Sequence, residues 1–157
     1  MGWDIIRSRW IDINKGDGEN PNDRSRMVGK EFNNSEIEGL FAATPPLEVL
    51  RLILGSAATS DVAPPLSDDT KVQTRKGIFI VDVSRAFFEA PVKRDICVEF
   101  PPEEGVKPDE VGKLEKSLYG TRDASANFQA EVETVLVKAG LRQVKYNPSL
   151  YFHPERR

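Results

Sequence analysis

Apolar and polar positions alternate along this chain in short stretches separated by turn clusters. Residues 8–13, SRWIDI, alternate and predict a half-buried strand. Residues 14–22, NKGDGENPN, are a dense turn cluster, and residues 24–30, RSRMVGK, can pair back across it as a hairpin. Residues 46–58, PLEVLRLILGSAA, carry a helical spacing that places Leu47, Leu50, Leu54 and Ala58 on one face. Pro46 stands at the helix start and Thr44 is a candidate cap. Residues 59–76 are polar and proline-containing and read as a long connection. The run Ile78-Phe79-Ile80-Val81 reads as a buried strand that ends in a carboxylate, Asp82. Residues 95–99 and 111–118 alternate like strands.

The clearest helix is 123–139, with Asp123 at the N-cap and a stripe of Phe128, Val132, Val135, Leu136 and Ala139. Lys138 lies in its last turn and Gly140 marks the stop. Residues 148–153 start another strand. Strands and helices mix without strict alternation, which predicts an α+β fold with a mixed or antiparallel sheet packed on helices.

Composition narrows the class. The 157 residues are 39% hydrophobic, 30% charged and 8% aromatic, enough for one domain with a real core. No window reaches the ~18 consecutive apolar residues of a membrane helix. The start, MGWDIIRSRW, lacks a signal peptide's apolar stretch, and Ile6 stands where myristoylation needs Ser or Thr. The expectation is an intracellular protein, cytoplasmic or nuclear, with no membrane partner. The single cysteine, Cys97, leaves no internal disulfide framework and no Cys-rich zinc site. The single histidine, His153, has nothing nearby to make it part of a nucleophilic system, so both residues read as packing or surface. A net charge of −3 argues against bulk attraction to nucleic acid, so a polyanion would have to be gripped by local basic clusters.

An Asp at the end of an apolar run has two readings. It can be a helix cap or turn residue, which position alone favours. It can also be a metal ligand fixed by a rigid element. Phe87 follows five residues on, then Phe88 and Ala90-Pro91. An acid with an aromatic at that distance resembles a nucleic-acid polymerase palm, but D-x4-F by itself is a weak signal.

The ordered blocks make the resemblance specific. RSRMVGKEF (24–32) is similar to K-A-R-L-V-A-R-G-F, and LFAATPPLEVLRLILGSAA (40–58) to F-S-P-V followed by I-R-x-L-L-A-x-A-A. VDVSRAFFEAPVKRDICVEFP (81–101) resembles M-D-V-K-T-A-F-L-N-G-x-L-x-E-E-I-Y-M-x-Q-P. VGKLEKSLYGTRDASANFQAEVETVLVKAGL (111–141) is close to V-C-K-L-x-K-S-L-Y-G-L-K-Q-A-P-R-x-W and the helix after it. YNPSLYF (146–152) is like D-P-C-L-Y-V. Together these resemble the reverse transcriptase of copia-type long-terminal-repeat retrotransposons, the RNA-directed DNA polymerase region of a Pol polyprotein.

The resemblance implies part of a polymerase right hand, fingers plus the front of the palm, as one incomplete domain over 1–157. Residues 1–58 would be fingers-like with an N-terminal hairpin, 59–76 a loop, and 77–157 palm-like. Asp82 would be the first catalytic, metal-binding carboxylate, with the backbone carbonyl of Val83 as a further ligand for Mg²⁺ or Mn²⁺. Phe87 would be the aromatic that selects the sugar. Arg24 and Arg26 would face nucleotide phosphates, where guanidinium forks suit bidentate contacts, and Lys30 would contact the template. Tyr119 and Gly120 would form the nucleotide-side turn before the long helix, the glycine allowing close approach to the backbone. Arg122 takes the place of a family Lys and keeps a cation for nucleic acid. Gly29 replaces the family's Ala, Ser125 its Pro and Phe128 its Trp; Gly29 is expected to loosen the strand.

The partners implied are an RNA or DNA template-primer, deoxynucleoside triphosphates and the remaining Pol regions: the rest of the palm, the thumb, ribonuclease H and integrase. The family's Y-V-D-D hairpin follows the D-P-C-L-Y-V strand, and no later Asp pair is found before Arg157. The expectation is therefore a reverse transcriptase segment, truncated before that hairpin, that incorporates no nucleotide by itself, because two-metal transfer needs more than one carboxylate. The competing reading is a non-catalytic module, derived from a retrotransposon, that binds nucleic acid or protein. A third is a pseudogene product whose sheet ends on an unpaired strand.

Overall fold

A computed structural model describes residues 2–32, 42–59 and 77–155. Its strands and helices, in chain order, are β1 (Asp4–Asn14), β2 (Asp23–Lys30), α1 (Leu47–Ala58), β3 (Ile96–Glu99), β4 (Val111–Lys113), α2 (Ala124–Lys138), β5 (Arg142–Val144) and β6 (Asn147–Phe152). Short 3₁₀ turns occupy Ala86–Glu89 and Pro102–Glu104. The chain divides into two units. The first takes residues 1–42 and 85–140, the second 43–84 and 141–157.

The first unit is built on a four-stranded mixed sheet in the order β2-β1-β3-β4. β1 and β2 form the expected hairpin, in register from Arg7↔Lys30 to Asn14↔Asp23. The turn between them is held by two side chains. The Asn14 Oδ1 accepts from the amides of Gly16 and Asn22, both at 2.8 Å, and the Asp17 Oδ1 accepts from those of Glu19 and Asn20. β3 runs parallel to β1 and antiparallel to β4, which makes the sheet mixed. The Ser8 hydroxyl donates to the Glu99 carbonyl and fastens the end of the parallel ladder. Among the described residues, the buried apolar ones are Ile96, Cys97 and Val98 of β3 together with Ala90, Leu118 and Ala124.

Several expected elements are shorter or differently used. The strand expected over 111–118 is a ladder only at Val111–Lys113, followed by an isolated bridge between Pro91 and Lys116. Asp123 does precede α2, but its carboxylate makes no capping bond. Of the stripe expected along α2, Phe128, Val132 and Leu136 are half-buried, while Val135 and Ala139 are exposed. The buried part of α2 is its start, at Ala124 and Asn127. Gly140, at φ 88°, ends the helix as expected.

The second unit holds α1 and the two-stranded sheet β5-β6, whose first strand the sequence pattern did not reveal. Thr44 is not the cap of α1: Pro46 takes the N-cap position in extended backbone, without a side-chain bond. No residue of α1 is buried. The expected strand over 78–81 is also corrected. Residues 77–83 carry no regular secondary structure and join no ladder among the described residues, and Phe79 and Ile80 are 90% and 88% exposed. A strand exists by virtue of its partner. β5 and β6 pair with each other, and no described residue pairs with 77–83. Leu52, Ile53, Ala57, Ile78 and Phe79 line an open apolar groove of about 550 Å³ in this unit. The connection expected over 59–76 lies outside the described residues from 60 onward. No described helix is long and apolar enough to cross a membrane.

Candidate nucleic-acid interface

The register of the first unit's sheet sorts charge by face. Residues directly opposite in a ladder point to the same side. Arg7 faces Lys30, Arg9 faces Val28, Ile11 faces Arg26 and Ile13 faces Arg24. Through Cys97, which pairs with Ile5 on one side and Lys113 on the other, Lys113 joins the same face. Arg7, Arg9, Arg24, Arg26, Lys30 and Lys113 are all exposed there. The one acid among them is Glu99, 3.7 Å from Arg7 in an exposed pair of little energetic weight. Asp4, Asp12 and Asp23 occupy the opposite register positions. A chain of net charge −3 thus carries one distinctly basic sheet face. Successive cations along a strand, i to i+2, are about 6.6 Å apart, a spacing suited to consecutive phosphates of an extended nucleic acid. The Lys113 ammonium lies 4.9 Å from the Trp3 ring centre at the far end.

An aromatic cluster borders the β2 edge of this face. The rings of Phe87 and Tyr119 are 4.6 Å apart between centres, Phe87 and Phe128 6.2 Å, and Phe88 and Tyr119 5.7 Å. The Arg26 guanidinium stands 5.9 Å from the Tyr119 ring centre, within cation–π range. Three expected site residues, Arg26, Phe87 and Tyr119, therefore meet. Arg85, just before the 3₁₀ turn that presents Phe87 and Phe88, has a left-handed φ of 55°. That conformation is uncommon for a residue with a side chain.

Gly120 joins β2 to the cluster. The amide of Thr121 donates to the Leu118 carbonyl, and Gly120 at φ 85° has the angle a type II turn needs at its third residue. The amide of Gly29 donates to the Tyr119 carbonyl at 2.7 Å, and that of Glu31 to Gly120 at 3.4 Å. A Cβ on Gly120 would overlap the Gly29 carbonyl. β2 itself comes close to the Gly120 backbone, and Gly29 lies in that seam.

Beneath the turn lies an ionic network that sequence reasoning missed. Glu31 accepts a fork from Arg94, Nη1 to Oε1 at 2.7 Å and Nη2 to Oε2. It also accepts from the Arg122 Nε at 2.9 Å and from the Arg122 amide at 2.9 Å. Arg94 Nη2 reaches the Asp123 Oδ1 at 3.1 Å, and Nη1 lies 3.6 Å from the exposed Asp4. The Asn127 Nδ2 donates to the other Asp123 oxygen at 2.9 Å and to the Ser117 hydroxyl at 3.1 Å. The side chains of Glu31 and Asp123 are only 8% and 10% exposed. Burial pushes the Glu31 carboxyl up, but the bonds from Arg94 and Arg122 outweigh it and hold it below the ordinary range. Asp123 is lowered likewise, against burial, by Arg94 and Asn127. Arg94 is held protonated more firmly by Glu31, against burial and with help from Asp123. Arg122, expected to face nucleic acid, has its Nε engaged by Glu31.

The family model described as reverse transcriptase (RNA-dependent DNA polymerase) matches residues 3–156. The chain belongs to the reverse transcriptase family. Among curated relatives, the truncated transposon Ty1-A Gag-Pol polyprotein of Saccharomyces cerevisiae is 32% identical over 66 residues, 41% of this chain and 5% of that polyprotein. The transposon Ty1-DR5 Gag-Pol polyprotein of the same yeast gives the same identity over 41% of this chain and 4% of its own length. The matched stretch is thus a small part of these polyproteins. No solved structure matches. With the family match, the Ty1 relatives make this a reverse transcriptase segment of the copia-type retrotransposon class.

The remaining expected positions of this reverse transcriptase segment are placed separately. Arg24 and Lys30 lie on the basic face. Asp82 and Val83 belong to the second unit and are exposed. No described residue pairs with Asp82, and among the described residues no three His, Cys, Asp or Glu side chains gather into a metal site. The missed residues did leave a signal. At 31, 94 and 123 the family blocks quoted above carry Gly, Glu and Gln, whereas this chain carries Glu, Arg and Asp. Three departures that together introduce opposite charges suggest that they pair.

Proposed function

We propose that the chain supplies the fingers and the front of the palm of a retrotransposon RNA-directed DNA polymerase, gripping template and nucleotide phosphates on the basic face of its β2-β1-β3-β4 sheet. The observation that carries this reading is the segregation of six cations onto one side of a mixed sheet in a net acidic chain, bordered by the Phe87–Tyr119 cluster. Arg24 and Arg26 contact nucleotide phosphates, Lys30 and Arg122 the template, and Phe87 is the aromatic wall beside the sugar, with Tyr119 and Gly120 forming the turn next to it. Asp82, with the Val83 carbonyl, contributes to a Mg²⁺ or Mn²⁺ site, for which an exposed carboxylate is a suitable hard-oxygen ligand. The described residues do not fit a complete two-metal centre, because one carboxylate cannot hold both ions. The other ligands, the thumb and the ribonuclease H and integrase regions belong to the rest of a Pol polyprotein.

Binding to an RNA-template/DNA-primer duplex, measured by fluorescence anisotropy over a salt series, tests the reading. The expected result is an affinity that falls steeply with salt. In a Lys30→Gln variant, which loses a template contact and leaves the nucleotide-facing arginines in place, the log–log slope should be shallower by about 0.7–0.9, the increment for one lost phosphate contact. Absent binding, or an unchanged slope in the variant, would remove the interface.

A further inference from the structure

We infer that Glu31 is a positioning residue for the nucleotide-binding edge, acting through the Tyr119–Arg122 turn; the inference rests on the reading of Arg26 and Tyr119 given above. Glu31 lies one residue beyond the end of β2, the strand that carries Arg24, Arg26 and Lys30. Its carboxylate grips Arg122 at two points, the Nε and the backbone amide, both at 2.9 Å. It also holds Arg94 by a fork, and Arg94 in turn reaches Asp123 at the start of α2. One side chain therefore ties the end of a strand to the turn beside it and to the helix that follows. Two backbone hydrogen bonds close the same seam, from Gly29 to Tyr119 and from Glu31 to Gly120. Within that seam Arg26 is set against the Tyr119 ring.

The chemistry of the network favours positioning over simple stabilisation. A buried ion pair returns little net stability after desolvation, yet losing one partner leaves the other charge unmet. What such a pair contributes is one geometry. The Arg94 Nε is buried without an acceptor, so the fork on Glu31, with the bond to Asp123, holds that guanidinium in place. Without the Glu31 charge, Arg94 keeps its contacts to Asp123 and Asp4 but loses its fork, and the turn is held to β2 by the two backbone hydrogen bonds without the side-chain clamp.

The test sets positioning against electrostatics, because the two predict opposite signs. Glu31→Gln removes a negative charge beside a basic face, so Coulomb attraction alone predicts tighter binding of a polyanion. Positioning predicts weaker binding. In the full 157-residue chain, dTTP affinity should fall about five- to tenfold in Glu31→Gln, the scale of one lost charge-assisted contact. Amide hydrogen exchange by NMR should quicken about tenfold or more at Gly29 and residue 31, with the β1–β3 ladder unchanged. Arg94→Lys, which keeps the charges and loses the fork, should give an intermediate result and serves if Glu31→Gln does not fold. Equal or tighter dTTP binding in Glu31→Gln, or unchanged exchange at Gly29, overturns the inference. Failure of the wild-type chain to bind dTTP sinks the functional reading instead, while the exchange arm still decides whether Glu31 holds the seam.

Discussion

The two units of this chain place similar apolar residues in opposite circumstances. In the first, Ile96 is fully buried and Val98 and Leu118 nearly so, under a sheet closed at one edge by paired charges. In the second, α1 buries no residue, and the equally apolar run at 78–81 lies open. An apolar pattern says that a face favours burial, but it does not say which residues will cover it. In the first unit the cover is supplied by strands with defined register and by a polar network that admits one arrangement. In the second, the described residues are linked by the short β5-β6 ladder and by the Ser149 hydroxyl, which donates to the Ala43 carbonyl at 2.9 Å.

The contrast is tested most strongly at Ile96. Truncation to alanine should cost about 2–5 kcal/mol, since a fully buried aliphatic loses both its transfer energy and its neighbours' contacts. Urea unfolding followed by tryptophan fluorescence reads the first unit, because Trp3 and Trp10 both lie in it. A cost under about 1 kcal/mol would mean that this core is no better packed than the second unit.

Gly120 and Gly29 sharpen the comparison within the first unit. Gly120→Ala must take φ 85° with a side chain and displace the Gly29 carbonyl, so a loss of about 1–3 kcal/mol is expected. Gly29→Ala meets the Ile6 Cδ1 at 2.9 Å, the movable end of a side chain, and should cost less, about 1 kcal/mol or under. The family's Ala at this position is consistent with that order. Equal costs would show that the seam is not the constraint.

Much of the first unit is legible in the sequence because its signals are local. The turn cluster at 14–22 and the alternation in SRWIDI and RSRMVGK on either side of it predict the hairpin, and the register then brings the cations of the two strands to one face. The start of α2 at residue 124 is legible from the polar-to-helical switch. The network of Glu31, Arg94, Arg122 and Asp123 is not, because its members are brought together from three separate segments and no period links them. Asp123 shows the difficulty: its position suits an N-cap, yet an arginine twenty-nine residues away takes its carboxylate. In the second unit the helix at Leu47–Ala58 and the strand at Asn147–Phe152 are legible, but the run at 78–81 is not, for a related reason. An apolar run of four residues is equally the signature of a buried strand and of an uncovered segment, and only a partner strand decides. β5, three residues long, is too short to carry a period at all.

Acid should separate the units further. The carboxyls of Glu31 and Asp123 are depressed in the folded chain, so the unfolded chain binds more protons at low pH. Their contribution is therefore complete above the ordinary values of 4.5 and 3.8, and is lost as pH falls through the lower folded values. The groups facing them are Arg94, Arg122 and Asp4, with Asn127 and Ser117 as neutral partners. The tryptophan-detected urea midpoint should start to fall as pH drops through the ordinary values of 4.5 and 3.8 and keep falling below them, through the lowered folded values. In Glu31→Gln the fall should be shallower. An identical pH profile in the variant would place the acid sensitivity elsewhere.

The smallest effect is expected where the apolar residues are least buried. Phe79→Ser and Ile80→Ser remove side chains that are 90% and 88% exposed, so almost no area is taken from a dry environment and no cavity is left. Each should change the midpoint of a circular-dichroism melt by an amount equivalent to less than about 0.5 kcal/mol. Phe79 should lose slightly more than Ile80, because it also lines the groove beside Leu52 and Ile53. A loss of about 2 kcal/mol or more at Ile80 would require that side chain to be buried in solution. Residues 77–83 would then be a covered strand after all, and the difference between the two units would be one of pairing partner instead of packing.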